Sequence, residues 1–370
     1  MTDAATVLDR LWTEGVSTDD LSDIAAARSG EIDLRIDSEL AVFVAWLAAD
    51  EANTAGVDNA ITDRLTGDPA AELMILAVEL RAAMHRRDHA TVGLTLAALG
   101  DRVPDEPSDE SQDELSREPQ GPAPDEKPAT TDEPHGHAPG DKRTVSGRAA
   151  ARIALAEAAL YSGDLETASR FLRPVSASGP TAFRIAALVR HVTVALAQPK
   201  LEIAMTRARQ ALTLAQQANR KLQAEQAQLL LGLVACLAGD NETMRAMLQP
   251  LLEENGPVVP LLAAGLAGPD EALARLGGGV NIAPERGDAA GYALCALVGA
   301  RHHVAHGRRP DALLTLSAVR VRLGGHAPQV AAVLDAELLA WRHAWGASAF
   351  AEAERAAIAR LGPESDPALR

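Results

Sequence analysis

Three glycines, Gly163, Gly239 and Gly307, stand in the same sequence surroundings, and this recurrence restricts the chain to repeated pairs of helices. Eight residues before each glycine come Leu155, Leu231 and Gly299, and seven before come Ala156, Gly232 and Ala300. Five residues after come Ala168, Met244 and Ala312; nine after come Leu172, Leu248 and Leu316; seventeen after come Pro180, Gly256 and Gly324. A fourth copy around Gly346 keeps Leu338, Leu339, Ala351 and Pro363 but carries Arg355 in place of the leucine. Each copy reads as two helices joined at a tight turn. Small residues let the pair approach closely, one leucine anchors the second helix, and a breaker ends the unit. The turns lie 76, 68 and 39 residues apart, and the first two intervals suit two units of roughly 34–38 residues each.

The intermediate turns follow. Residues 197–200, Ala-Gln-Pro-Lys, divide a helix over 182–196 from one over 201–218. Gly268-Pro269-Asp270 divides a short pair that runs out in Gly277-Gly278-Gly279, with 280–287 irregular. Upstream, residues 2–100 are helical by pattern. Asp37 starts a segment with Leu40, Val42, Phe43, Val44, Trp46 and Leu47, and Asp68-Pro69 starts another, proline being tolerated in a first turn. Residues 70–100, turning at Arg87-Asp88, are a looser copy of the later unit.

Residues 101–147 break the pattern. They hold thirteen acids and five bases, many prolines and almost no large apolar side chains. Such a segment cannot bury enough surface to offset its ordering entropy, so the expectation is a disordered acidic linker or inserted loop. His135 and His137 within it offer too few ligands for a metal. The domain reading is therefore a helical module over 1–100, a linker over 101–147 and a repeat domain over 148–370.

Hydrophobic residues make up 47% of the chain, yet only ten residues are aromatic, and alanine supplies much of the rest. That composition suits closely packed helices. The net charge of −16 argues against nucleic acid and against an anionic membrane surface. No apolar run reaches the roughly 20 residues of a membrane helix. The acidic start MTDAATVLDRLW lacks the basic and apolar blocks of a signal peptide. Cys236 and Cys295 each sit in an apolar helical run, which predicts buried reduced thiols and a cytoplasmic setting.

Residues 155–180, LAEAALYSGDLETASRFLRPVSASGP, resemble the tetratricopeptide repeat, and 231–256 match nearly as well. The resemblance covers about 148–363 well, 70–100 poorly and the linker not at all; Leu, Ala and Val replace the motif's usual aromatics. It implies an all-α solenoid of antiparallel helix hairpins, a right-handed superhelix with a concave, partner-binding face. Extrapolated groove-facing positions are Glu157, Arg184, His191, Leu233 and Arg301. Because Ile153 and Glu157 occupy the places of the family's carboxylate-clamping asparagine and lysine, chaperone-tail binding of that kind is not implied.

His302, His303 and His306 are the one cluster with metal-ligand spacing. The glutamate that a hydrolytic zinc helix needs after its first histidine is replaced by His303, so the cluster reads first as the polar end of a repeat helix. Gly277–279 lacks the lysine of a phosphate loop, and Asp164, Asp240 and Asp311 read as helix caps. The four tryptophans, Trp12, Trp46, Trp341 and Trp345, read as core. The expectation is a non-catalytic scaffold or adaptor for a protein or peptide partner, without cofactor. The alternatives are a ligand- or peptide-sensing regulator and, further off, a metal-dependent enzyme built on the histidine cluster.

Overall fold

The structure, a computed structural model, describes residues 3–29, 32–48, 57, 59–86, 88–103, 139–253, 259–277, 286–324 and 328–360. Among these residues there is no strand, and helix follows helix. The order is α1 (Ala4–Glu14), a 3-10 turn (Thr18–Asp20), α2 (Leu21–Arg28), α3 (Leu34–Ala48), α4 (Asn59–Leu65), α5 (Pro69–Arg86) and α6 (His89–Arg102). Then come α7 (Pro139–Ser162), α8 (Leu165–Ser178), α9 (Thr181–Ala197), α10 (Leu201–Gln217), α11 (Lys221–Ala238) and α12 (Asn241–Glu253). The chain ends with α13 (Val259–Ala267), α14 (Pro269–Gly277), α15 (Arg286–Ala305), α16 (Arg309–Gly324), α17 (Pro328–Trp345) and α18 (Ala347–Arg360).

The repeated turns are conformationally alike. Gly163, Gly239, Gly307 and Gly346 all adopt left-handed φ values, between 72° and 81°. The next residue closes the preceding helix: Asp164 N–H donates to Ala159 O at 2.8 Å, Asp240 to Ala235 O at 2.9 Å and Arg308 to His303 O at 2.8 Å. The looser upstream copy does the same, Asp88 donating to Ala83 O at 3.0 Å. Asp88, Asp164 and Asp240 then cap the following helices, accepting from the N–H of Thr91, Thr167 and Thr243 at 3.2, 3.0 and 2.9 Å. Asp311 departs from this expectation. It lies inside the first turn of α16, and its carboxylate pairs with Arg360 of α18.

The buried apolar side chains form two clusters that meet on α9. Phe183, Ala187 and Val194 belong to the cluster reaching back to Ala4, whereas Ile185, Leu188, Val192 and Leu196 belong to the one running on to Ala357. Helix α9 is thus apolar nearly all round, as a central helix must be. The N-terminal helices are part of this packing, α5 lying along α7 and α1 touching both α7 and α9.

The boundary expected at 147 is displaced. Helix α7 begins at Pro139, and its first turns dock on the N-terminal helices. The Arg143 guanidinium bonds the Glu39 and Asp68 carboxylates at 2.7 and 2.9 Å and lies over the Trp12 ring, while the Ser146 hydroxyl donates to Trp12 O. Gly147 lets α7 press on α5, since a Cβ there would come within 2.6 Å of Ala70 O. Arg143, one of the charged residues that made 139–147 look like linker, is what fastens it, together with Ser146. Residues 104–138, the remainder of the expected linker, lie outside the described residues.

One ion cluster joins α5, α7 and α9. The Glu157 carboxylate accepts from Arg81 Nε at 2.7 Å and from Arg190 Nε at 2.6 Å. Arg81, 1% exposed, also donates to Trp46 O at 2.8 Å and sits 4.1 Å from the Trp46 ring centroid. Burial pushes the Glu157 carboxyl up, but Arg190 and Arg81 outweigh it and hold the pKa at about 2. Its contribution is complete above the ordinary value of 4.5 and is lost as pH falls toward 2.

Two outcomes follow for stability in urea at neutral pH. Glu157→Gln leaves two buried guanidinium groups without their counter-charge and should cost about 3–5 kcal/mol. Gly239→Val should cost about 1–3 kcal/mol through the left-handed backbone alone, because nothing lies within 4 Å of its Cβ position. An unchanged denaturation midpoint would contradict either assignment.

Candidate functional site

Of the five residues expected to line an open inner face, Leu233 is buried, and Glu157 and Arg301 are half-buried and engaged in ion pairs. Glu157 is held in the cluster above. Leu233 is 1% exposed and part of the core. Arg301 of α15 bonds both oxygens of Glu337 on α17 at 2.8 Å and donates to the backbone oxygens of Cys236 and Leu237 at the end of α11. The physical reasons differ: Glu157 is engaged by arginines of α5 and α9, whereas Arg301 is covered by α17, which packs directly against α9, α11 and α15. From the other side, the N-terminal segment closes onto α11. Arg220 bonds Asp20 at 2.6 and 2.7 Å and Glu14 at 2.7 Å, while the Asp19 carboxylate caps α11 through Leu222 N–H and Gln223 N–H.

Arg184 and His191 do share a face. They stand seven residues apart on α9, two helical turns, both half-buried and both bonded to α8. The His191 ring hydrogen-bonds the Leu172 backbone on α8 and feels the charges of Arg207 on α10 and Arg173 on α8. Burial first, then these two arginines, push its pKa down to about 4. Burial and Arg173 also lower the pKa of Arg207, whose guanidinium is held by Gln210 Oε1 at 3.0 Å. Arg184 Nε reaches Ser176 O at 3.4 Å. Among the described residues none of Arg173, Arg184 and Arg207 forms an ion pair. Arg173 on α8 and Arg207 on α10 lie outside the first-helix positions that the repeat spacing marks. The available signal was their place beside the buried stripes Ala168-Leu172-Val175 of α8 and Ala204-Ala208-Ala211 of α10.

The opposite flank of α8 is apolar. Thr167 and Phe171, one turn apart, face Val92 and Leu96 of α6 across a groove of about 460 Å³. Its floor is Leu155, Ala158 and Ala159 of α7, with Met84 and His89 at the side and Tyr161, 64% exposed, on the rim. Helices α6 and α8 each pack on α7 rather than on each other, which leaves the groove open.

The histidine cluster is arranged as a helix end. His302 and His306 have ring centroids 4.2 Å apart, and His306 Nδ1 lies 2.9 Å from His302 O. Among the described residues no group of three or more His, Cys, Asp or Glu side chains is placed to hold a metal ion. Both free thiols are buried, and burial pushes Cys295 up to about 12, so it is protonated and unreactive at neutral pH. Trp12, Trp46 and Trp341 are buried as expected, and Trp341 stacks on the half-buried Trp345. No described helix is long and apolar enough to cross a membrane.

Comparison with models of protein families, with curated proteins and with solved structures finds no match.

The His191 environment has a measurable consequence. Its folded pKa of about 4 lies below the ordinary 6.5, so the unfolded chain takes up the proton first as pH falls. Stability should therefore drop between pH 6.5 and 4, a loss that His191→Gln removes from the melting-temperature profile. An identical acid-side slope in the variant would show that the ring is not so enclosed.

Proposed function

We propose that this chain is a non-catalytic protein-interaction scaffold, a cytoplasmic α-solenoid of tetratricopeptide-like hairpins that holds a segment of a partner protein. What carries the reading is the open apolar groove between α6 and α8. Val92, Leu96, Leu155 and Phe171 offer a recess for aliphatic or aromatic side chains, and Tyr161 stands at its rim as an amphipathic contact. The shared turn geometry at Gly163, Gly239, Gly307 and Gly346 supports the repeat reading. The buried ion pairs support the non-catalytic one, since Glu157, Asp20 and Glu337 are each engaged in joining helices.

The occupant is a partner segment with apolar side chains and acidic flanks, because the Arg170 guanidinium, 5.6 Å from the Phe171 ring centroid, adds a positive charge beside the groove. A photoreactive residue placed at Tyr161 should crosslink one partner protein reproducibly in the native cell. Phe171→Asp should reduce that product roughly tenfold, the loss of one buried aromatic contact, with the melting temperature held as a check on folding. Crosslinking to a second copy of the chain would replace the partner with self-association. Crosslinking indifferent to Phe171→Asp would move the docking surface elsewhere.

A further inference from the structure

We propose that His302 and His306, at the end of α15, form a two-histidine chelate for a divalent transition-metal ion of the zinc and copper class. The proposal goes beyond the scaffold reading and involves neither the apolar groove nor its occupant.

Three observations carry it. First, helical spacing puts the two imidazoles on one face, one turn apart, and the structure brings their ring centroids to 4.2 Å. A tetrahedral zinc ion holds two ligand nitrogens about 3.3 Å apart, a span that rings this close reach by side-chain rotation alone. Second, the His306 ring is oriented by its own helix. Its Nδ1 lies 2.9 Å from His302 O, and a carbonyl only accepts, so in the neutral ring Nδ1 carries the proton and Nε2 keeps the lone pair. A ring N–H given to a backbone carbonyl is the arrangement that fixes tautomer and direction in metal-binding histidines. Third, the pair stands where the helix ends. The His306 N–H donates to His302 O and His303 O, each at 3.2 Å, and the chain turns away at Gly307 with φ 72°. The negative end of the helix dipole lies at this point and favours a cation.

The residue types set the class of ion. Neutral imidazole suits zinc, copper and nickel, whereas magnesium and calcium take oxygen ligands. His303 is not part of the chelate. It follows His302 directly, so it points to another side of α15, and its ring centroid is 6.3 Å from that of His302. Among the described residues no third donor joins the pair. The remaining positions on the ion therefore fall to water or to a group brought by another molecule, which makes the site open and exchangeable rather than structural. His135 and His137 are separated by one residue, not by the three that one helical turn requires.

The test uses the full chain with zinc(II) alone as the probe, followed by titration calorimetry and by the histidine ring resonances. A single zinc ion should bind, shift the His302 and His306 signals and raise the melting temperature, because only the folded helix presents both rings together. Copper(II) should bind more tightly than zinc, and magnesium should leave both rings unmoved. His302→Ala and His306→Ala should each weaken zinc binding by roughly tenfold or more, since either leaves one ligand where there were two. His306 is exposed and His302 half-buried, and the melting temperature without metal checks that both variants fold. His303→Ala, and His135→Ala combined with His137→Ala, should change zinc affinity little. Zinc that moves neither ring, or binding that survives both His302→Ala and His306→Ala, would overturn the site. Binding lost in the His135 and His137 variant would place the ion there instead and overturn it equally. Phe171→Asp should leave zinc binding intact, so failure of the apolar groove and failure of the chelate are read separately.

Discussion

The carboxylate of Glu157, clamped between Arg81 and Arg190, is the interaction on which the arrangement of the helices depends. It draws a residue from each of α5, α7 and α9 to one buried point, and Arg81 extends the grip to the end of α3 through Trp46. A buried ion pair adds little net stability compared with apolar packing of the same volume, but it tolerates almost no misplacement. A helix shifted by one turn would strand a charge in the core. An alanine-rich surface such as that of α7 offers few large side chains to define register, and the ion cluster supplies what it lacks.

The same device is used at both ends of the interior. Arg220 with Asp20 and Glu14 fixes the N-terminal turn against α11, and Arg301 with Glu337 fixes α17 against α15 and the end of α11. Together these contacts tie the N-terminal turn, α11, α15 and α17 to one another. Helix α8 gives Phe171 to the apolar recess, and Arg173, two residues on, acts on His191 of α9 and Arg207 of α10. Two residues of separation on a helix are enough to put opposite chemistries on opposite walls.

Much of the secondary structure was legible in the sequence because its determinants are local. A glycine with left-handed backbone ends a helix whatever surrounds it, and an aspartate three residues before a threonine caps the next. The turns at Gly163, Gly239 and Gly346, and the break at 198–200, accordingly fall where the pattern puts them. Asp311 and residues 139–147 did not follow, since their roles depend on Arg360, Glu39, Asp68 and Trp12, far away in the chain.

The candidate site shows the same division. That Arg184 and His191 share a stripe follows from helical periodicity alone. Whether a stripe faces solvent or protein is a matter of how successive pairs stack, and periodicity carries no information on it. Glu157, Leu233 and Arg301 were assigned to an open face by their spacing; instead Leu233 is core, Glu157 is held by Arg81 and Arg190, and Arg301 is tied to Glu337 of α17. The sequence by itself determined where the repeated turns fall and which side chains line up along each helix. The tertiary structure alone decided which charges meet, because the energy of an ion pair depends on a separation of a few ångströms between residues that the chain places scores of positions apart.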